Sequence, residues 1–305
     1  MQCTKRGLIL GPDGKGWSKT HCILPVPVYL QDKSCIRVFY GSCDSGMNSR
    51  IGYVDLDPED PLKVLGRSNG YVIDIGSEGT FDDCGVVPSS VVCINSIYYL
   101  YTVGFQRAER SPYILLPGLL RSSDLVNFTR LSESPLIPRC RISPISHGAP
   151  CVIKDGGVYR MWLWTCTKWI VIDGKKFLDY RIHHACSDDG ISWEIDDIPV
   201  LEPDVRLGEF AVARPWVFKH NNLYHMFYSA RVIGKLYRLK YATSLDGLDW
   251  AVDKKGRFAI ETSPSEWDSE MTCYASVLRV GSRLFLFYNG DGNGRSGLGL
   301  CELDL

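Results

Sequence analysis

Three runs decide the fold: Arg214-Pro-Trp-Val-Phe218, then Tyr224-His-Met-Phe-Tyr228, then Ser244-Leu-Asp-Gly-Leu-Asp-Trp250. The middle run is five residues of mostly aromatic and apolar character between turn formers. It reads as a buried strand rather than a helix. The first run begins a strand about a dozen residues upstream. In the third, Asp246-Gly247 suits a tight turn, because glycine tolerates positive φ and aspartate bonds its own turn. The whole reads as strand, hairpin, aromatic strand, longer loop, third strand, Asp-Gly turn and fourth strand.

Working outward, each signal recurs. The aromatic run returns at Ile36–Tyr40, Ile97–Tyr101, Tyr159–Trp164 and Leu284–Tyr288. Its last aromatics, Tyr40, Tyr101, Trp164, Tyr228 and Tyr288, lie 61, 63, 64 and 60 residues apart. The Ser-x-Asp-x-x-x-aromatic turn returns at Ser122–Phe128 and Ser187–Trp193. The upstream strand returns at Leu24-Pro25, Val87-Pro88, Ala149-Pro150 and Tyr274-Ala275. No segment has the spacing of an amphipathic helix.

A near-constant period in a chain of 305 residues predicts one all-β domain, a five-bladed β-propeller of four-stranded antiparallel blades. The blades are expected at roughly 21–75, 82–140, 147–203, 209–262 and 268–305. A pair of β-sandwiches is the alternative, but it gives no reason for the period. The fifth blade lacks a fourth strand before Leu305, and Gly7-Leu-Ile-Leu10 belongs to no blade. Residues 5–10 are therefore expected to supply the missing outer strand, closing the ring and removing an exposed sheet edge.

Lys plus Arg number 34 and Asp plus Glu 35, a formal charge of −1, which gives no global attraction to nucleic acid or anionic membrane. No run approaches the length of a membrane span, and the N-terminal apolar run is too short for a secretory signal. The 12 cysteines form no C-x-x-C pair, and several sit inside apolar runs. Buried free thiols, no metal site and a cytoplasmic location are expected. No phosphate-cradling glycine loop stands between a strand and a helix, so no organic cofactor is implied.

In a propeller the loops entering the first strands converge on one mouth, where a site is built. Asp82 lies six residues before Pro88, Glu209 six before Pro215 and Asp268 seven before Ala275. Three blades thus place a carboxylate in an equivalent slot, with Asp83 beside the first. Opposed carboxylates suit glycosidic bond cleavage, one as acid and one as base or nucleophile. Asp83 and Glu209 are the leading catalytic candidates, supported by Asp268 and Asp82. The alternative is that these acids satisfy loop amides or bind Arg214. Arg214 and Arg231 are candidates to hold hydroxyls, a carboxylate or a phosphate through their planar forks. His147, Tyr274, Trp216 and Asp44 complete the substrate-binding candidates, and Phe210 and Asn289 lie nearby.

The Ser-x-Asp-Gly-x-x-Trp turns, the Gly79-Thr-Phe-Asp-Asp83 entry and the run Trp267-Asp-Ser, Tyr288-Asn-Gly, Gly297-Leu-Gly-Leu resemble five-bladed propeller glycosidases. The similarity is to glycoside hydrolase families 43, 32 and 68, with the family 130 mannoside phosphorylases as relatives, and covers nearly the whole chain. It implies a carbohydrate-active enzyme acting on a carbohydrate or glycosyl-phosphate substrate. Families 43 and 32 carry an essential aspartate at the entry of the first blade. Here that entry reads Gly16-Trp-Ser-Lys-Thr-His21, with no carboxylate after Asp13. The alternatives are a non-catalytic sugar-binding propeller and a glycosyl-transferring or phosphorolytic enzyme of surface-polysaccharide metabolism.

Overall fold

The structure is a computed structural model that describes residues 2–254, 256, 258 and 260–305. It is all-β. The first strand, β1 (Gln2–Leu10), stands apart from the four that follow: β2 (Thr20–Leu30), β3 (Cys35–Cys43), β4 (Ser49–Leu56) and β5 (Val64–Arg67). Next come β6 (Gly85–Ile94), β7 (Ile97–Gln106), β8 (Ile114–Ser122) and β9 (Thr129–Arg130). They are followed by β10 (Ser146–Asp155), β11 (Val158–Ile172), β12 (Lys175–Ser187) and β13 (Glu194–Ile195). Then come β14 (Glu209–His220), β15 (Leu223–Val232), β16 (Arg238–Ser244) and β17 (Ala251–Val252). The last are β18 (Cys273–Val280), β19 (Arg283–Asn289) and β20 (Leu298–Asp304).

Antiparallel pairing groups these strands into four-stranded units. Strands β10 to β13 form one sheet, β14 to β17 another, and β18, β19, β20 and β1 a third. Strands β2 to β5 and β6 to β9 are each antiparallel, and a single parallel bridge, Ser49 to Gly85, joins them into one larger sheet. Strand β1 pairs along β20, from Gln2 opposite Asp304 to Leu10 opposite Leu298. The fourth strands β5, β9, β13 and β17 are only two to four residues long. The first strands touch in a closed series: β2 with β6, β6 with β10, β10 with β14, β14 with β18, and β18 with β2.

The Ser-x-Asp turns explain how neighbouring units lock together. In each, the serine Oγ accepts the N–H groups two and three residues on, and the aspartate Oδ1 accepts those of the next two positions. These bonds draw the residue after the aspartate into the left-handed region: Leu125 at φ 59°, Gly190 at 74° and Gly247 at 79°. They also hold the carboxyls of Asp189 and Asp246 down at about 2, through the backbone N–H groups that favour the charged form. The carbonyl of that same residue then receives a side chain from the preceding unit. Arg37 bonds Leu125, Tyr101 bonds Gly190 and Trp162 bonds Gly247, at 3.2, 2.6 and 2.9 Å.

The core lies between and within these sheets, and the recurrent aromatic strands supply it. Phe39, Tyr101, Trp162, Phe227 and Phe287 are all fully buried. Burying each side chain of this size contributes on the order of 1.5–3 kcal/mol. Among the described residues, no helix is long and apolar enough to cross a membrane.

Candidate functional site

Every first strand slips its register at the same place. Opposite the aromatic strand, β2 slips between Ile23 and Val26, β6 between Pro88 and Ser90, and β10 between Gly148 and Cys151. Strand β14 slips between Ala213 and Trp216, and β18 between Cys273 and Ser276. Such a bulge re-aims a side chain. In four of the five, the bulged residue is non-glycine with left-handed backbone: Leu24 (φ 58°), Ala149 (49°), Arg214 (52°) and Tyr274 (57°). Each costs about 1–2 kcal/mol, and strain of this kind concentrates at ligand clamps and active sites.

These four side chains line one central cavity of about 300 Å³, to which all five units contribute. Val87 represents β6. The walls are aromatic and aliphatic, and Trp164 and Tyr180 lie against each other with ring centroids 4.3 Å apart. Tyr113, Tyr237, Arg231 and Asn293 complete the polar part of the lining. Burial pushes the phenols of Tyr180, Tyr237 and Tyr274 up, so they remain protonated donors at neutral pH. No carboxylate lines this cavity.

Arg214 is fully buried and reaches across from β14 to two other units. Its Nη1 donates to the Ser89 carbonyl at 2.7 Å and its Nη2 to the Pro25 carbonyl at 3.3 Å. Its Nε is buried with no hydrogen-bond partner. Burial pushes its pKa down to about 10, which leaves it charged at neutral pH. Arg231 sits among the rings of Phe177, Tyr237 and Phe210, at 4.5, 4.9 and 5.8 Å from their centroids. Such contacts contribute about 2 kcal/mol when desolvated, yet they satisfy none of its five N–H donors. Among the described residues, neither guanidinium is paired with a carboxylate.

None of the predicted carboxylates lines this cavity. Asp82, almost wholly buried, accepts from Arg130 Nε at 2.9 Å and from Thr80 at 3.1 Å. Glu209 is bound by Lys240 at 2.9 Å and by the Asp204 N–H at 2.9 Å. Asp268 is bound by Lys5 and by the Tyr288 hydroxyl. Burial works against its charge, but these bonds outweigh it and hold the carboxyl below its usual range. Each of these three carboxylates thus forms an ion pair with a cation of its own unit. Asp83 accepts from the Gly79 N–H, and its Oδ1 is buried without a partner. It lies outside the cavity lining. A larger cleft of about 860 Å³ contains Glu209, in the fourth unit and its flanking segments. There the Lys240 ammonium and the Asp204 amide occupy both carboxylate oxygens.

Of the six predicted binding residues, Arg214, Arg231 and Tyr274 line the cavity. The other three lie outside this lining. His147 is fully buried with its Nε2 bonded to the Ile137 carbonyl at 2.9 Å. Trp216 donates to the Val277 carbonyl of the next unit. Asp44 closes its own loop through the Gly46 and Asn48 N–H groups and Arg50. Asn289 is likewise structural, bonding Leu24 N–H and the Cys22 carbonyl across the junction of β19 and β2. Sequence reading missed Trp164, Tyr180, Tyr113 and Tyr237. The signal that marks the cavity is the repeated Xaa-Pro pair, whose first residue is the bulged one in three units.

No family model matches the chain. The uncharacterized protein Rv1502 of Mycobacterium tuberculosis (strain ATCC 25618 / H37Rv) is 34% identical over 305 residues, with both chains covered completely. The chain belongs to the Rv1502 family. The uncharacterized protein MT1551 of Mycobacterium tuberculosis (strain CDC 1551 / Oshkosh) stands at the same 34% identity over 305 residues, again with both chains covered completely.

Solved structures place this Rv1502-family chain among the propeller-like glycosidase folds. A thermostable family-43 glycoside hydrolase superposes with a TM-score of 0.70 at 18% identity, covering 97% of this chain and 93% of that one. A putative glycosidase from Bacteroides thetaiotaomicron VPI-5482 gives 0.74 at 15%, covering 99% and 97%. A member of the GH130 family of mannoside phosphorylases, a family said to contain hydrolases that target β-1,2 mannosidic linkages in Candida mannan, gives 0.73 at 14%, covering 99% and 94%. Identities this low show the fold alone.

Proposed function

We propose that this member of the Rv1502 family is a five-bladed β-propeller that recognises a carbohydrate in its central cavity. The closed series of first-strand contacts and the pairing of β1 with β20 support five blades closed by the N-terminal strand. The solved structures of similar fold include a family-43 glycoside hydrolase and a relative of the mannoside phosphorylases, which supports a sugar as ligand. The observation that carries the reading is the cavity lining: Trp164 and Tyr180 offer apolar ring faces to a sugar, while Arg214, Arg231 and Tyr274 offer donors to its oxygens.

Hydrolysis by paired carboxylates has no support from this lining, because an acid and a base must both reach the bond being broken. Recognition without glycoside hydrolysis is therefore the better reading. Titration of the full chain with a sugar panel tests it, beside a turnover assay on glycosides and glycosyl phosphates. Binding that weakens at least tenfold in Trp164→Phe or Tyr274→Phe, without hydrolysis of any glycoside, is expected. Glycoside turnover abolished by Asp83→Asn or Glu209→Gln would overturn it and restore the hydrolase reading.

A further inference from the structure

Two guanidinium groups line one cavity without a compensating carboxylate. Arg214 is spent on backbone carbonyls at Nη1 and Nη2, but its buried Nε has no partner. Among the described residues, Arg231 meets ring faces and no hydrogen-bond acceptor. A buried charge without a counter-ion is costly, and the field it leaves favours an anion in the space it faces. The neighbouring phenols of Tyr180, Tyr237 and Tyr274 add neutral donors. They add no negative charge while protonated.

We propose that the ligand of this cavity carries a phosphate ester, held as a dianion by Arg231 and Arg214. The proposal rests on the carbohydrate reading above and deepens it to a phosphorylated sugar. Charge count favours this over the other anions found on sugars. Two uncompensated cations are neutralised by a phosphate ester, close to −2 at neutral pH with three accepting oxygens. A uronate or a sulfate ester carries only one charge. The planar fork of Arg231 can take two phosphate oxygens at once, leaving the third for the Arg214 Nε or a phenol. The cavity volume of about 300 Å³ accommodates roughly one sugar ring with its substituent.

The test is calorimetric titration of the full chain with inorganic phosphate, glucose 1-phosphate, mannose 1-phosphate and glucose 6-phosphate. Glucose, mannose, glucuronate and glucose 6-sulfate run beside them. A phosphorylated sugar should bind at least tenfold more tightly than its neutral parent, and in Arg231→Gln that ratio should fall to about one. Arg231→Lys, which keeps a charge but not the fork, should restore part of it. Neutral sugars binding as tightly as phosphorylated ones would overturn the anion and leave the carbohydrate reading standing. Inorganic phosphate binding in an Arg231-dependent manner, with no sugar adding affinity, would keep the anion and sink the sugar. Glucuronate or the sulfate matching the phosphates would overturn the dianion, and no binding of any probe at millimolar concentration would overturn the proposal outright.

Discussion

Lys5, on the first strand, donates a hydrogen bond to the fully buried carboxylate of Asp268, 263 residues later. The contact ties β1 to the unit that ends the chain, alongside the ladder between β1 and β20. Lys5 Nζ also bonds Ser263, and the Tyr288 hydroxyl shares the carboxylate.

Removing the lysine should therefore cost more than an exposed ion pair does. Breaking a buried pair costs about 3–5 kcal/mol. The lysine side chain is 29% exposed, which reduces the expected loss for Lys5→Met to roughly 2–3 kcal/mol. Urea unfolding measures it. Deleting residues 1–12 should destabilise the whole protein further, and an unchanged midpoint would show that β1 is dispensable.

Acid should destabilise the fold before the carboxylates titrate. Burial pushes His147 down to about 4, and His21, His183, His184 and His225 are also lowered by burial. The unfolded chain takes up these protons near pH 6.5, the folded chain only at lower pH. Stability present above pH 6.5 is thus lost as pH falls towards 4, by about 3 kcal/mol for His147 alone. In His147→Gln, a slope of unfolding free energy against pH equal to wild type across this window would refute the assignment.

The turn glycines offer a matched pair. Gly247 (φ 79°) and Gly156 (φ 62°) both lie in the left-handed region. A Cβ at Gly247 would come within 2.9 Å of the Trp162 ring, whereas one at Gly156 meets nothing within 4 Å. Gly156→Ala should cost about 1 kcal/mol for backbone strain alone. Gly247→Ala should cost about 2–3 kcal/mol, since it also pushes against a packed core. Equal losses on denaturant unfolding would mean that the turn does not press on the neighbouring unit.

Glu209→Gln separates a structural carboxylate from a functional one. The ion pair with Lys240 is buried on the glutamate side only, at 4% against 28% exposure. Its loss should lower stability by about 1–2 kcal/mol while leaving sugar affinity within twofold. A normal melting temperature with lost binding would reverse the assignment.

Much of the architecture was legible because it is written in local terms. The aromatic runs, the Ser-x-Asp turns and the Xaa-Pro pairs each reflect a short-range requirement: burial on a strand, closure of a turn, a break in register. Repetition made them visible: the fifth unit's Tyr274-Ala275 pair lies within β18 and its aromatic run Leu284–Tyr288 within β19. Leu125 shows the limit even there, since it takes left-handed backbone where its sister turns have glycine.

The site was legible only in part, for a different reason. Asp82, Glu209 and Asp268 are each paired within their own unit, but their partners Arg130, Lys240 and Lys5 lie 48, 31 and 263 residues away, with no common spacing. The partner decides whether a carboxylate is a tool or a strut, and partners are chosen in three dimensions. The same holds in reverse for Arg214 and Arg231: sequence alone supplied two arginines beside a strand and a turn. Only the tertiary structure brought them into one cavity without a carboxylate, because an unpaired charge is a property of everything that surrounds it.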